Sequence, residues 1–110
     1  MLMRRTLLLA LLAQACVSQA WAAELAGRWA VSQDRCETEY LLFEANGHYA
    51  STLDDDKREG TWKLARDRVI LTPADEPDNP ANMHILDHTA SRLVAYDETI
   101  EADRRLMKCR

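Results

Sequence analysis

Residues 60–73 read GTWKLARDRVILTP, with Trp62, Leu64, Val69 and Leu71 at alternating positions and Thr61 and Lys63 on the opposite face. A period of two is that of a half-buried strand, and two such runs around Arg66-Asp67 predict a β-hairpin. Just before it, YLLFEA and HYASTL flank Asn46-Gly47. That dipeptide is the strongest short hairpin signal, because a type I′ turn needs positive φ at both central residues. Residues 40–53 are therefore read as another hairpin, and GRWAVS ahead of it supplies a fifth strand. All three prolines, Pro73, Pro77 and Pro80, fall in TPADEPDNPAN, which reads as a loop.

The second half, MHILDHTASRLVAYDETIEADRRLMKCR, admits two readings. One is three more strands at 83–88, 92–96 and 104–109; the other is a helix after the Asn79-Pro80 start signal, which would make the fold α+β with a C-terminal helix. Strands are preferred: Leu86, Leu93 and Val94 fit a helical stripe loosely, while the turn-like HTAS continues the 8–12-residue rhythm of the first half. The fold class expected is all-β, a small antiparallel up-and-down barrel of about eight strands, closed so that no edge is exposed. In that closure the last strand pairs with the first. Strands of about 5 or 6 residues and a barrel filled by its own side chains, with no deep cup, follow from the length.

The first 22 residues are not part of this pattern. Arg4 and Arg5 precede an apolar run from Leu7 to about Val17, and small residues stand at Ala20 and Ala22. This is the design of a secretory signal peptide cleaved after Ala22, with Ala20 as the alternative, leaving one domain over 23–110. The run is too short for a membrane-spanning helix. The chain is expected to be periplasmic or secreted, with no integral membrane segment. Ala13-Gln14-Ala15-Cys16 is a faint lipoprotein box, so a lipid anchor at Cys16 is the lesser alternative, and a twin-arginine signal is weighed and set below the ordinary route.

Removing Arg4 and Arg5 from 14 basic residues leaves 12 against 18 acidic ones, a net charge of −6. Affinity for nucleic acid comes largely from neutralising phosphates with Lys and Arg, so nucleic-acid partners are not expected. An acidic surface suits a cationic partner, though solubility alone accounts for it. Cleavage also removes Cys16 and leaves Cys36 and Cys109. A lone pair in an oxidising compartment reads as one disulfide, and the two thiols lie too far apart in sequence for a redox Cys-x-x-Cys. Barrel closure would bring Cys109 to Cys36.

Gly27-Arg28-Trp29 on the first strand, with Arg104 and Arg105 on the last, resembles the lipocalin and calycin pattern. That resemblance implies a Trp near the barrel floor covered by a late Arg. NGHYAS and GTWKLARDRVILTP are also similar to small secreted lipocalin-like bacterial domains. A weaker resemblance, in AAELAGRWAVSQDRC and TWKLARD, is to the periplasmic inhibitors of secreted metalloproteases. The chain departs from these inhibitors in the position of its second cysteine and in having few residues before Leu25 to serve as an N-terminal arm.

The candidate ligand or core residues are Trp29, Phe43, Tyr49 and Trp62. The core reading is preferred for the tryptophans, since aromatic residues dominate small cores; a ligand at the open mouth would use Phe43, Tyr49 and Trp62. His84 and His88, four apart, are expected to share a face, but with only His48 besides they are read as solvated rather than as a metal pair. Asp54-Asp55-Asp56 lacks the glycine-punctuated spacing of a calcium loop and reads as a solvated turn. No Gly-x-Ser-x-Gly, His-Glu-x-x-His or phosphate loop occurs. No cofactor, metal or catalytic residue is assigned, and the expected function is a binding module. Its partner would be a small apolar molecule or an envelope or secreted protein, with protease inhibition the alternative.

Overall fold

The computed structural model describes residues 22–110; the signal-peptide and Cys16 readings lie outside those residues, apart from Ala22 at the expected cleavage site. Eight antiparallel strands form one closed barrel in chain order: β1 Gly27–Ala30, β2 Leu41–Phe43, β3 His48–Ser51, β4 Arg58–Ala65, β5 Arg68–Pro73, β6 Ala81–His88, β7 Arg92–Asp97 and β8 Ala102–Lys108. The second half is thus strand throughout, and no C-terminal helix forms. Its inward positions explain why. Met83, Leu93, Ala95 and Leu106 are buried at the strand period and join Leu41, Val69 and Leu71 in one core.

Closure is uneven. β4 and β5 pair from Gly60 opposite Pro73 to Ala65 opposite Arg68, whereas β1 and β8 pair only at Trp29 with Lys108 and Ala30 with Met107. One more bond, from the Cys109 N–H to the Arg28 carbonyl at 2.8 Å, extends this short seam. A disulfide between Cys36 and Cys109, with Cα atoms 6.0 Å apart, lies beside it. The connection after β1 folds back along the same seam, where the Gln33 side-chain amide donates to the Lys108 carbonyl at 2.8 Å. The staple therefore reinforces the weakest pairing of the barrel.

Gly27-Arg28-Trp29 and Gly60-Thr61-Trp62 each place a large ring inward. The Trp29 indole N–H donates to the Leu25 carbonyl and that of Trp62 to the Glu44 carbonyl, each at 2.8 Å. These bonds remove the cost of burying an indole donor. Gly60 is required by close approach, since a Cβ there would run into the Thr72 carbonyl oxygen. The segment 22–25 is helical and closes the barrel floor under Trp29, with Leu25 fully buried. The cation over Trp29 is neither Arg104 nor Arg105 but Lys108, whose Nζ lies 5.3 Å from the ring centroid and donates to the Glu24 carbonyl at 3.0 Å.

Three local expectations are corrected. At residues 44–47 only Gly47 has positive φ, 93°, and its N–H donates to the Glu44 carbonyl at 3.1 Å. The turn is thus a four-residue connection ending in a left-handed glycine rather than a type I′ turn, because Asn46 instead turns its side chain to accept from the His48 N–H. His84 and His88 do not share a face. A bulge in β6 between Ile85 and Asp87 inserts Leu86 and reverses the alternation, so His84 pairs with outward Tyr96 and His88 with fully buried Leu93. His84 meets Glu98 at 2.7 Å outside the barrel, while His88, largely buried, lies 2.9 Å from the Glu24 carboxylate at the floor. Finally, strands range from 3 residues in β2 to 8 in β4 and β6, and this inequality shapes the barrel's open end.

Candidate functional site: a mouth cavity

The floor half of the barrel is packed, but the mouth half holds a cavity of about 590 Å3. Trp29, Phe43 and Trp62 pack in the core as the filled-barrel reading expects, and the open space is confined to the mouth. The space lies between the mouth ends of the longer strands β4 to β8 and the short strands β2 and β3, whose side is crossed by the β3–β4 connection. Leu41, Tyr49, Leu71, Pro73, Ala81 and Met83 form the apolar wall, with Leu53 and Ile100 contributed by loops. A volume in this range is that of a small-molecule site, and beside the apolar wall its lining carries the charged residues Asp54, Asp56, Arg58, Asp97 and Arg104.

Of the sequence-derived candidates, only Tyr49 borders this space. Trp29 and Phe43 are 0% and 1% exposed, and Phe43 packs on Trp62 with ring centroids 4.8 Å apart. These three sit below the cavity, in the core. Tyr49 is itself 4% exposed. Its hydroxyl has no hydrogen-bond partner among the described residues. Burial pushes its pKa up, with Arg58 opposing and Asp75 and Asp56 adding to the rise, so the phenol stays protonated at neutral pH. Those three charges all belong to the mouth, which places the hydroxyl end of the ring there.

Polar order in the cavity centres on Arg104, a residue that sequence reading assigned to the floor. Its Nε donates to the buried Asp97 carboxylate at 2.8 Å, and its Nη2 donates to Asp54. Burial works against the guanidinium charge, yet the bonds to Asp54 and Asp97 outweigh it and hold its pKa above the ordinary value. The Asp97 carboxylate also accepts from the Thr99 N–H at 2.9 Å, so both of its oxygens are engaged. No spacing rule would have joined Arg104 to Asp54, fifty residues earlier. The alternating inward position of Arg104, two before buried Leu106, was the only available signal.

Asp54 rides on the connection from β3 to β4, which crosses the short β1–β2 side of the mouth and fastens to β8 through this ion pair. Leu53 is tucked beneath it, 8% exposed. Asp54 and Asp55 both have φ of 58°, a left-handed conformation that non-glycine residues adopt only when the surroundings impose it. The bond to Arg104 holds the Asp54 carboxyl below its ordinary pKa.

The rim is strongly acidic. The β3–β4 connection carries Asp54, Asp55 and Asp56, the β5–β6 loop Asp75, Glu76 and Asp78, and the β7–β8 turn Glu98 and Glu101, against the single base Lys57. At the mouth Arg58 is itself neutralised, 3.0 Å from Asp56 and 3.8 Å from Glu76. Asp55, Asp75, Asp78 and Glu101 make no ion pair among the described residues. Those residues also hold no cluster of three or more His, Cys, Asp or Glu arranged for a metal ion, and no helix among them is long and apolar enough to cross a membrane. No known protein family, curated protein or solved structure matches the chain.

Proposed function

We propose that this protein is an exported binding module, lipocalin-like in its organisation, that takes a small apolar molecule into the barrel mouth. The single observation behind this reading is the cavity of about 590 Å3, walled by Leu41, Leu71, Pro73, Ala81 and Met83 at the open end of an otherwise packed barrel. The lipocalin-like reading is supported by the meander closure, the floor tryptophan on β1 and the cation of Lys108 above it. Export is supported by the Cys36–Cys109 disulfide, which belongs to an oxidising compartment. Binding is favoured over catalysis because the buried carboxylate of the site, Asp97, has both oxygens committed to Arg104 and Thr99. It is preferred to protease inhibition because residues 22–25, the ones that would form an arm, are engaged in closing the floor.

The test is calorimetric titration of the mature protein with 1-decanol, alongside an Ala81→Phe variant that fills the cavity from a half-buried wall position. Saturable one-to-one binding to the wild type, lost in the variant while its melting temperature is kept, is the expected result. Binding undiminished in Ala81→Phe would place the ligand elsewhere and remove the reading.

A further inference from the structure

We infer that the mouth selects a cationic amphiphile: an apolar body carrying one protonated amine. This deepens the binding reading above and rests on it. Three independent features of the site agree on the sign of the ligand's charge.

The first is where unspent charge lies. An anionic ligand would need a free cation in the cavity, yet Arg104 is shared between Asp97 and Asp54, and Arg58 between Asp56 and Glu76. A carboxylate could take either guanidinium only by displacing an existing carboxylate. The anions, in contrast, are in surplus: the rim loops carry Asp54, Asp55, Asp56, Asp75, Glu76, Asp78, Glu98 and Glu101 against Lys57, and neither Asp55 nor Asp75 makes an ion pair among the described residues, although Asp75 lies in the field of Arg58. The field over the mouth is therefore negative, which raises the local concentration of cations and repels anions.

The second is Tyr49. It is 96% removed from solvent, borders the cavity, and leaves its hydroxyl without a hydrogen bond among the described residues. The ring is buried while the hydroxyl still meets solvent at the cavity, so a bound ligand would take the place of water there. An ammonium has hydrogens to donate to the phenol oxygen and accepts none, and the same charge is attracted to the aromatic face.

The third is the arrangement along the cavity. Apolar wall lies deeper, at Leu71 and Met83, and carboxylates ring the entrance. An alkyl amine with its chain inward puts its charge at the rim, beside the β5–β6 loop that carries Asp75, and leaves the ammonium partly hydrated. Full burial of the charge, with its large desolvation cost, is avoided.

The experiment compares decylammonium, 1-decanol and decanoate, three probes with the same chain, by calorimetric titration of the mature, disulfide-bonded protein at pH 7. Decylammonium is expected to bind at least tenfold more tightly than decanol, and decanoate more weakly than either. Its affinity should fall as sodium chloride rises from 20 to 300 mM, while that of decanol holds. Tyr49→Phe keeps the ring and Asp75→Asn removes an exposed, unpaired charge. Each should weaken decylammonium by roughly threefold to fivefold, the weight of one hydrogen bond or one partly screened charge, and leave decanol unchanged. Equal affinity for all three probes, or a preference for decanoate, would overturn the inference and leave the cavity reading intact. No binding of any probe would overturn both.

Discussion

Replacing Cys36 and Cys109 together by serine tests whether the barrel depends on its staple. The two cysteines are 73 positions apart, so the cross-link constrains residues 36–109 of the unfolded chain. The chain-entropy relation for a loop of that length gives about 4–5 kcal/mol at 25 °C. Domains of this size have total stabilities of roughly 5–15 kcal/mol, so the expected loss is a third of that or more. The folded side adds to it. Without the bond, the β1–β8 seam rests on two paired positions and the Cys109 N–H to Arg28 carbonyl contact. The assay is thermal and urea unfolding followed by far-ultraviolet circular dichroism, oxidised wild type against the double serine variant. At about 4–8 °C per kcal/mol for a small domain, the melting temperature should fall by roughly 15–40 °C. Amide exchange should accelerate first at Trp29, Ala30, Met107 and Lys108. A fall of less than 5 °C, with those amides as protected as in the wild type, would refute the argument that the staple carries the closure.

Trp62→Ala empties a site packed on Phe43 and leaves the Glu44 carbonyl without its indole donor; unfolding stability should drop by about 3–5 kcal/mol, while any folded fraction keeps decanol binding, since Trp62 does not border the cavity. Gly60→Ala forces a methyl against the Thr72 carbonyl and should cost about 1–3 kcal/mol in urea unfolding, with the damage seen by amide exchange in the β4–β5 pair. The pH dependence follows from Asp54. Its folded pKa lies below the unfolded value near 3.8, so the stability it contributes is complete above that value and is lost as pH falls through the lower folded one. Asp54→Asn should therefore lower stability at pH 7, where the contribution is complete, and flatten the acid limb below about pH 4, so that the gap from the wild type closes as pH falls.

Much of the barrel was legible because its physics is local. The alternation in GTWKLA and RVILTP places Trp62, Leu64, Val69 and Leu71 by side-chain direction alone, and Arg66-Asp67 marks the reversal without reference to the rest of the chain. The disulfide was legible by a different route: residues 22–110 hold two cysteines, and a meander of eight strands brings the ends of that segment together. Turn type was less accessible, because whether Asn46 adopts positive φ or caps the turn with its side chain is a balance of small local energies. The histidines show the limit more sharply. One inserted residue, Leu86, reversed the facing of His88 relative to His84, and a period-two reading carries no sign of such a bulge.

The sequence by itself determined the class of fold, the inward residues of most strands and the pairing of Cys36 with Cys109, since each follows from periodicity, turn chemistry or the count of thiols. Tertiary structure alone decided where the barrel is full and where it is hollow. That outcome depends on how strands of unequal length end relative to one another once the sheet has closed, a relation among residues far apart in the chain. It is why Phe43 and Trp62 became core while Tyr49 came to border a cavity, and why Arg104 met Asp54 and Asp97 across the mouth instead of covering Trp29.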